Sequence, residues 1–300
     1  MRLLTFRAGG GRRLGVVRPG HDDEVIELAA PTDMQDLIDA GEPGLARVRS
    51  AIADAKTFRK LADLELLAPL DPPRGNVIAI GRNYQKHAEE TAAIEGRAPS
   101  PPTIFTKAIT SLTEPFADIS IDPKVSTKID WEVELAIVIG KRGANIRRGD
   151  AMGHVFGYTV LNDVTARDIQ SDWGGQYFKG KSLDRSCPTG PWIVTPDELT
   201  NPQALNLSLR VNGVVKQDGN TRDMIYRLDA IIEWVSKGMT LLPGAIIATG
   251  TPDGVGFART PPEFLVIGDV METEVEGIGR LRNRFVAAVA SGVPAGGASR

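Results

Sequence analysis

The chain has one cysteine, Cys187, among 300 residues, so no internal disulfide can hold its fold. A reducing compartment fits that usage. Cys187 is followed by Pro188 and has no base beside it in sequence, so a small buried residue is its expected role rather than a nucleophile. Histidine is also scarce, with His21, His87 and His154 the full set. No stretch approaches the ~20 apolar residues of a membrane span. The opening Met1-Arg2-Leu3-Leu4-Thr5-Phe6 is too short for a secretory signal and runs into Gly9-Gly10-Gly11-Arg12-Arg13. A soluble, cytoplasmic protein is the simplest expectation. Excess positive charge is absent too: the net charge is -3, which gives no electrostatic reason to expect nucleic acid or an anionic membrane as partner. The basic stretch Lys141 to Gly149 has no interleaved aromatics and reads as a charged turn.

What is present is apolar residue enough, 42%, for a sizeable core. The stretch around which the chain is organised is Asp130-Trp131-Glu132-Val133-Glu134-Leu135, followed by the apolar run Ala136 to Ile139. In a strand, residues two apart share a face, so Glu132 and Glu134 stand side by side, with Val133, Leu135, Ile137 and Ile139 opposite. Two like charges beside apolar neighbours are costly unless a cation or a proton offsets them. A solvated strand face that happens to hold two Glu is the plain alternative.

Leu3 to Phe6 and Leu14 to Val17 flank a Gly-rich turn as a hairpin would. Residues 44–66 carry apolar residues at helical spacing. The Pro-rich stretch 68–75 then reads as a linker. This gives a small N-terminal α+β domain at 1–70, a main domain at 71–290 and a Gly/Ala-rich flexible tail at 291–300. Many short strands follow in the main domain: 76–80, 103–107, 118–122, 155–161, 245–248 and 270–275. Leu205 to Val211, Asn212-Gly213 and Val214-Val215 form the clearest hairpin, and residues 221–237 fit an amphipathic helix. The fold class expected is β-rich α+β.

Three places besides the central stretch can carry chemistry. His87 and Glu90 are three apart on a helical stretch that starts at Tyr84. They are either an ordinary exposed pair or a base whose tautomer is set by a carboxylate. Asp163 sits where a buried strand stops, as a site residue or as the N-cap of the next helix. The loop Thr249 to Gly256 offers two threonyl hydroxyls, with glycines there for turn geometry or for close approach to a ligand. Lys107 could reach an anion, with a solvated lysine the safer expectation. Gly180-Lys181-Ser182 has a Gly at the phosphate-loop offset, but no apolar strand runs into it, so a nucleotide site is rejected. Glu132, Glu134 and Asp163 together offer three oxygen ligands without Cys or a His pair. Such a set suits Mg²⁺, Mn²⁺ or Ca²⁺ rather than zinc.

At this point the chain resembles the fumarylacetoacetate hydrolase family. The matching stretches are Gly81-Arg82-Asn83-Tyr84 with His87 and Glu90, Glu132 to Leu135, Asp163 to Gln170, Gly180-Lys181-Ser182, and Thr249 to Gly256, in the family's order. The resemblance implies a mixed β-sheet roll as catalytic domain, a homodimer, and a divalent metal on Glu132, Glu134 and Asp163. In the acylpyruvase-like branch, His87 and Glu90 match a dyad on a lid, and Lys181 matches an active-site lysine. Arg167, Gln170 and Thr251 match positions that contact the substrate's oxygens. Residues 91–102 and the aromatics Trp173, Tyr177 and Phe178 are candidates for shaping the pocket. The implied activity is metal-dependent hydrolysis of a carbon–carbon bond in an acylpyruvate or other 2,4-dioxo acid, with water activated by the dyad. Decarboxylation, dehydration or isomerisation of a related oxo acid is the alternative on the same site. An inactive, metal-stabilised binding protein is the non-enzyme alternative.

Overall fold

A computed structural model describes residues 1–31, 33–95 and 101–288, with the backbone alone at 93–95. The proposed tail at 291–300 and most of the pocket stretch 91–102 lie outside the described side chains.

The strand Val133–Ile139 is buried at every position, as expected of a continuous apolar run inside a sheet. Antiparallel neighbours flank it, Val155–Asn162 on one side and Ile246–Ala248 on the other. The sheet continues past Ile246–Ala248 through Val77–Gly81 to Thr103–Lys107, and past Val155–Asn162 through Cys187–Val194 to Arg2–Ala8 and Gly11–Val17. A second sheet of five strands is built on the hairpin Asn206–Val211 and Val214–Asn220. Asn212 (φ 50) and Gly213 (φ 79) make its turn with both residues left-handed, the twist a two-residue hairpin needs.

Side-chain alternation assigns the two faces of the central strand. Val133, Leu135, Ile137 and Ile139 pack against Leu207, Leu209, Met271 and Phe285 of the second sheet. Ala136 and Val138 face the other way, onto Met34, Leu37, Ile38 and Val48 of a covering helix. Glu132 and Glu134 continue that second row toward the strand's beginning, where the site lies.

Several expectations change in the structure. The first helix is Met34–Asp54, not 44–66. Asp33 caps its start by accepting from Gln35 N at 2.7 Å, and Gly41 (φ 55, ψ -137) kinks it, with Pro43 opening the second half. Beyond residue 55 the α-helix does not resume: Arg59–Lys60 pairs with Glu24–Val25, a 3-10 turn covers Leu61–Asp63, and Glu65–Leu67 pairs with Arg2–Ala8. The helix expected at 221–237 is only Leu228–Ser236. Residues before it are drawn out by Asn83, whose backbone carbonyl accepts from Ile225 N and whose Oδ1 accepts from Tyr226 N, each at 2.7 Å. Asp130 pairs with Thr165 as a separate short strand, so Glu132 lies just ahead of the central strand rather than within it. The boundary drawn at residue 70 is not a gap in the sheet, since Arg2 and Leu3 pair with Val194 and Ile193.

Candidate active site

Strand register brings the three acids together. Val133 pairs with Asn162, so the next step of the ladder sets Glu132 opposite Asp163, and Asp163 N donates to Glu132 O at 2.9 Å. Glu134 lies one pleat further along. One carboxylate oxygen from each of the three falls within 4.8 Å of the others, and all three side chains are buried. Asp163 caps no helix: the next one, Arg167–Asp172, starts from Ala166 with no side-chain cap.

Charge of the opposite sign surrounds the cluster. Lys181 Nζ lies 2.9 Å from Glu132 Oε2 and 2.7 Å from Asp163 Oδ2, and it donates to Thr165 Oγ1 at 2.9 Å. Arg167 reaches Glu132 Oε1 at 2.6 Å. Lys107, expected to be solvated, is fully buried with Nζ 2.8 Å from Asp163 Oδ1. Its strand forms one wall of the site, and burial follows from the acceptors waiting there. Among the described residues Glu134 forms no ion pair; its Oε2 accepts from Gly250 N at 2.7 Å.

These surroundings split the two glutamates. Burial, then the charges of Asp163 and Glu132, raise the Glu134 carboxyl well above its ordinary value. Burial also pushes Glu132 up, but the fields of Lys181, Arg167 and His87 outweigh it and hold Glu132 below its ordinary value. For Lys181, burial disfavours the charge and the two acids more than restore it, so the amine stays protonated beyond its usual range.

A divalent ion fits this donor set. The donors are hard oxygens, Glu134 is short of a countercharge, and Asp163 Oδ1 has no hydrogen-bond donor aligned on it, because Lys107 meets it as an ion pair at an angle unsuited to a hydrogen bond.

His87 and Glu90 lie on the helix Gln85–Glu95, with His87 Nδ1 2.8 Å from Glu90 Oε1. The carboxylate also accepts from Gly254 N at 3.1 and 3.0 Å, which docks the helix on the loop 249–256. That loop needs its glycines: Gly254 has φ +97, and a Cβ there would stand 2.2 Å from Lys216 O. His87 lines the same pocket as Glu132, Glu134, Lys181 and Thr251. Phe105, Tyr177 and Phe257 wall it. Of the aromatics expected to shape it, Tyr177 does so, whereas Trp173 and Phe178 are exposed at 58% and 48%.

Arg167 and Gln170 sit together, Arg167 Nη1 donating to Gln170 Oε1 at 3.0 Å. Arg167 Nε is 2.8 Å from Asp130 Oδ2, and Phe257 lies under its guanidinium at 4.1 Å. Asp130 was missed by sequence reasoning. It also accepts from Gly256 N (2.6 Å) and Phe257 N (3.0 Å), so one carboxylate sets both the arginine and the loop. Gln217 was missed as well. From the second sheet it accepts from Val133 N at 2.9 Å and donates to Thr251 Oγ1 at 2.8 Å. No local pattern marks either residue, since each acts on partners far away in sequence.

Gly180-Lys181-Ser182 has its own account without a phosphate. A Cβ on Gly180 would meet Gln170 Cβ and N at 2.8 Å, so glycine lets the turn carrying Lys181 close on the helix carrying Gln170. Cys187 is buried and unpaired, and burial pushes its thiol up to about 12, which suits a packing role.

Residues 76–286 match the model of the fumarylacetoacetate (FAA) hydrolase C-terminal family. The bovine mitochondrial oxaloacetate tautomerase FAHD2A is 41% identical over 95% of this chain and 92% of that protein. The oxaloacetate tautomerase YisK of Bacillus subtilis is 45% identical over 88% of this chain and 90% of that protein. Among solved structures, the fumarylacetoacetate hydrolase of Exiguobacterium antarcticum is 37% identical and superposes with a TM-score of 0.84, covering 96% of this chain and all of that one. The roll-type β-rich α+β fold and the family are as the sequence led us to expect, while the curated relatives' names point away from the acylpyruvase-like branch.

Proposed function

The chain belongs to the fumarylacetoacetate hydrolase family, and from that premise we propose that it is a divalent-metal-dependent tautomerase interconverting the keto and enol forms of oxaloacetate or a similar short 2-oxo dicarboxylate. The observation that carries this reading is that relatives sharing 41–45% of their residues over 88–95% of this chain are named oxaloacetate tautomerases. They favour the isomerase alternative over the carbon–carbon hydrolysis expected first.

Glu132, Glu134 and Asp163 would hold Mg²⁺ or Mn²⁺. When bound, the ion supplies a Lewis acid for the substrate's oxo oxygen, which favours the enolate. The chain's own residues move the proton. Tautomerisation takes a proton from C3 and places one on the C2 oxygen. With Nδ1–H given to Glu90, His87 keeps Nε2 as an acceptor toward the pocket and serves as base at C3. Lys181, held protonated by its two acids, would turn one of its three engaged N–H groups to the oxygen on which charge develops, and that oxygen takes its proton from solvent as His87 returns the C3 proton to solvent. Arg167 and Gln170 orient a substrate carboxylate, and the Thr251 hydroxyl, which accepts from Gln217, has its own proton left to donate. The homodimer implied by the family resemblance is part of this proposal, and sedimentation velocity checks it.

Decay of enol-oxaloacetate absorbance, with Mn²⁺ and with EDTA, tests the reading. Metal-dependent acceleration over buffer supports it, and no acceleration sinks it. The second reading is cleavage of acylpyruvates, favoured by the similarity to the Exiguobacterium hydrolase. Turnover of an acylpyruvate series without oxaloacetate tautomerisation would select it.

A further inference from the structure

Lys107 ends the strand Thr103–Lys107 and has no solvent exposure. A buried ammonium is costly unless its charge and its protons are met. Here its Nζ lies 2.8 Å from Asp163 Oδ1, and it donates to the carbonyl oxygens of Val164, at 3.2 Å, and of Lys181. These acceptors belong to two separate turns. One leaves the strand Val155–Asn162 and carries Asp163; the other follows the helical turn Tyr177–Gly180 and carries Lys181. None of the chemistry above uses Lys107.

We propose that Lys107 is a positioning residue that clamps the Asp163 turn to the Lys181 turn. It thereby sets the distance between a carboxylate that would hold the ion and the amine that meets the substrate's oxygen. The inference rests on the metal reading of Asp163 and not on the choice of substrate. A clamp and a mere countercharge differ in sign. Lys107's charge alone repels a dication at Asp163, so losing only that charge would tighten metal binding. Losing the clamp lets Asp163 and Lys181 drift, and binding weakens.

The test compares Lys107→Met, which keeps the length of the side chain without its charge, with Lys107→Arg, which keeps the charge on a wider, planar head. Three quantities are read: Mn²⁺ affinity by electron paramagnetic resonance without substrate, kcat and KM for enol-oxaloacetate at saturating Mn²⁺, and amide hydrogen exchange. For Lys107→Met we expect Mn²⁺ affinity and kcat each to fall about 10–100-fold, the range for lost supports of metal ligands, with KM nearly unchanged. Faster exchange should be confined to residues 163–166 and 181–183. Lys107→Arg should recover Mn²⁺ affinity in part while kcat stays low. Equal or tighter Mn²⁺ binding in Lys107→Met with normal kcat overturns the clamp. Should Lys107→Met fail to fold, Lys107→Arg decides, since wild-type kcat with wild-type exchange would also overturn it. If the wild type does not tautomerise oxaloacetate, that reading fails by itself, and the Mn²⁺ and exchange data still decide on Lys107.

Discussion

Glu134→Gln should stabilise the metal-free protein and destabilise its metal-bound form. The carboxylate is fully buried, receives one hydrogen bond from Gly250 N, and faces the charges of Asp163 and Glu132. Its folded-state carboxyl therefore titrates above the unfolded one. The stability it contributes is complete below the unfolded value, near 4.5, and is lost as pH rises through the raised folded value. At pH 8, above the unfolded value, the metal-free protein holds either a buried charge or a proton the unfolded chain would release, and either costs up to several kcal/mol. Glutamine keeps the oxygen that Gly250 uses and removes the charge. Allowing for partial relief from Lys181, we expect a gain on the order of 2 kcal/mol, or roughly 4 °C in a chain of this length. With Mn²⁺ at about 1,000 times its dissociation constant, linkage adds about 4 kcal/mol to the wild type, and the variant should lose most of that. Thermal unfolding at pH 8, in EDTA and in Mn²⁺, reads both effects. A lower midpoint for Glu134→Gln in EDTA, or an undiminished Mn²⁺ shift, would refute the reasoning.

Three further outcomes follow from the contacts. His87→Ala should cut kcat by about 10²–10⁴-fold, the usual worth of general base catalysis, while Mn²⁺ affinity holds; near-normal turnover would remove His87 from the mechanism. Asp130→Asn sets an amide N–H₂ against Arg167 Nε–H, donor against donor, so kcat/KM should fall by about 10–100-fold with Mn²⁺ affinity little changed. Unaltered kcat/KM would show that Arg167 needs no such anchor. Gly254→Ala forces a side chain into the left-handed region and against Lys216 O, so stability should fall by about 1–3 kcal/mol, with faster amide exchange along residues 85–92 as Glu90 loses its donor. Exchange there at the wild-type rate would mean that the helix is held by other contacts.

The acidic cluster was legible because it needs only two local rules. Period-two alternation puts Glu132 and Glu134 in one row, and an apolar strand ending at Asn162 presents the next residue at its tip. The hairpin at Asn212-Gly213 was legible for the same reason, since a two-residue left-handed turn has few spellings. What stayed hidden depends on partners distant in sequence. Residues 224–227 fit a helical period and are not helical because Asn83, some 140 positions earlier, takes the N–H groups of Ile225 and Tyr226. Lys107 reads as a surface lysine, and its burial is dictated by acceptors at 163, 164 and 181. Asp130 looks like a strand-leading acid, yet its work is on Gly256, Phe257 and Arg167. In each case the propensity of the segment is overruled by a buried polar group that must be satisfied.

The same acids could serve bond cleavage or tautomerisation, since both chemistries generate an enolate from a 2-oxo acid. The two diverge in what attacks. Cleavage needs a water delivered to a second carbonyl, whereas tautomerisation needs only a base that takes a proton and a donor at the oxygen. In the proposed reading the base and the donor, His87 on the docked helix and Lys181 beside the acids, line one pocket. Beside Asp130, Glu132 and Asp163 stand Lys107, Arg167 and Lys181, and Arg82 also lines the pocket. A dication held by the acids would add positive charge and favour a doubly charged acid. Among the described residues Glu134 is the acid of the metal cluster with no ion pair, which is why neutralising that residue separates the folding of the site from its loading.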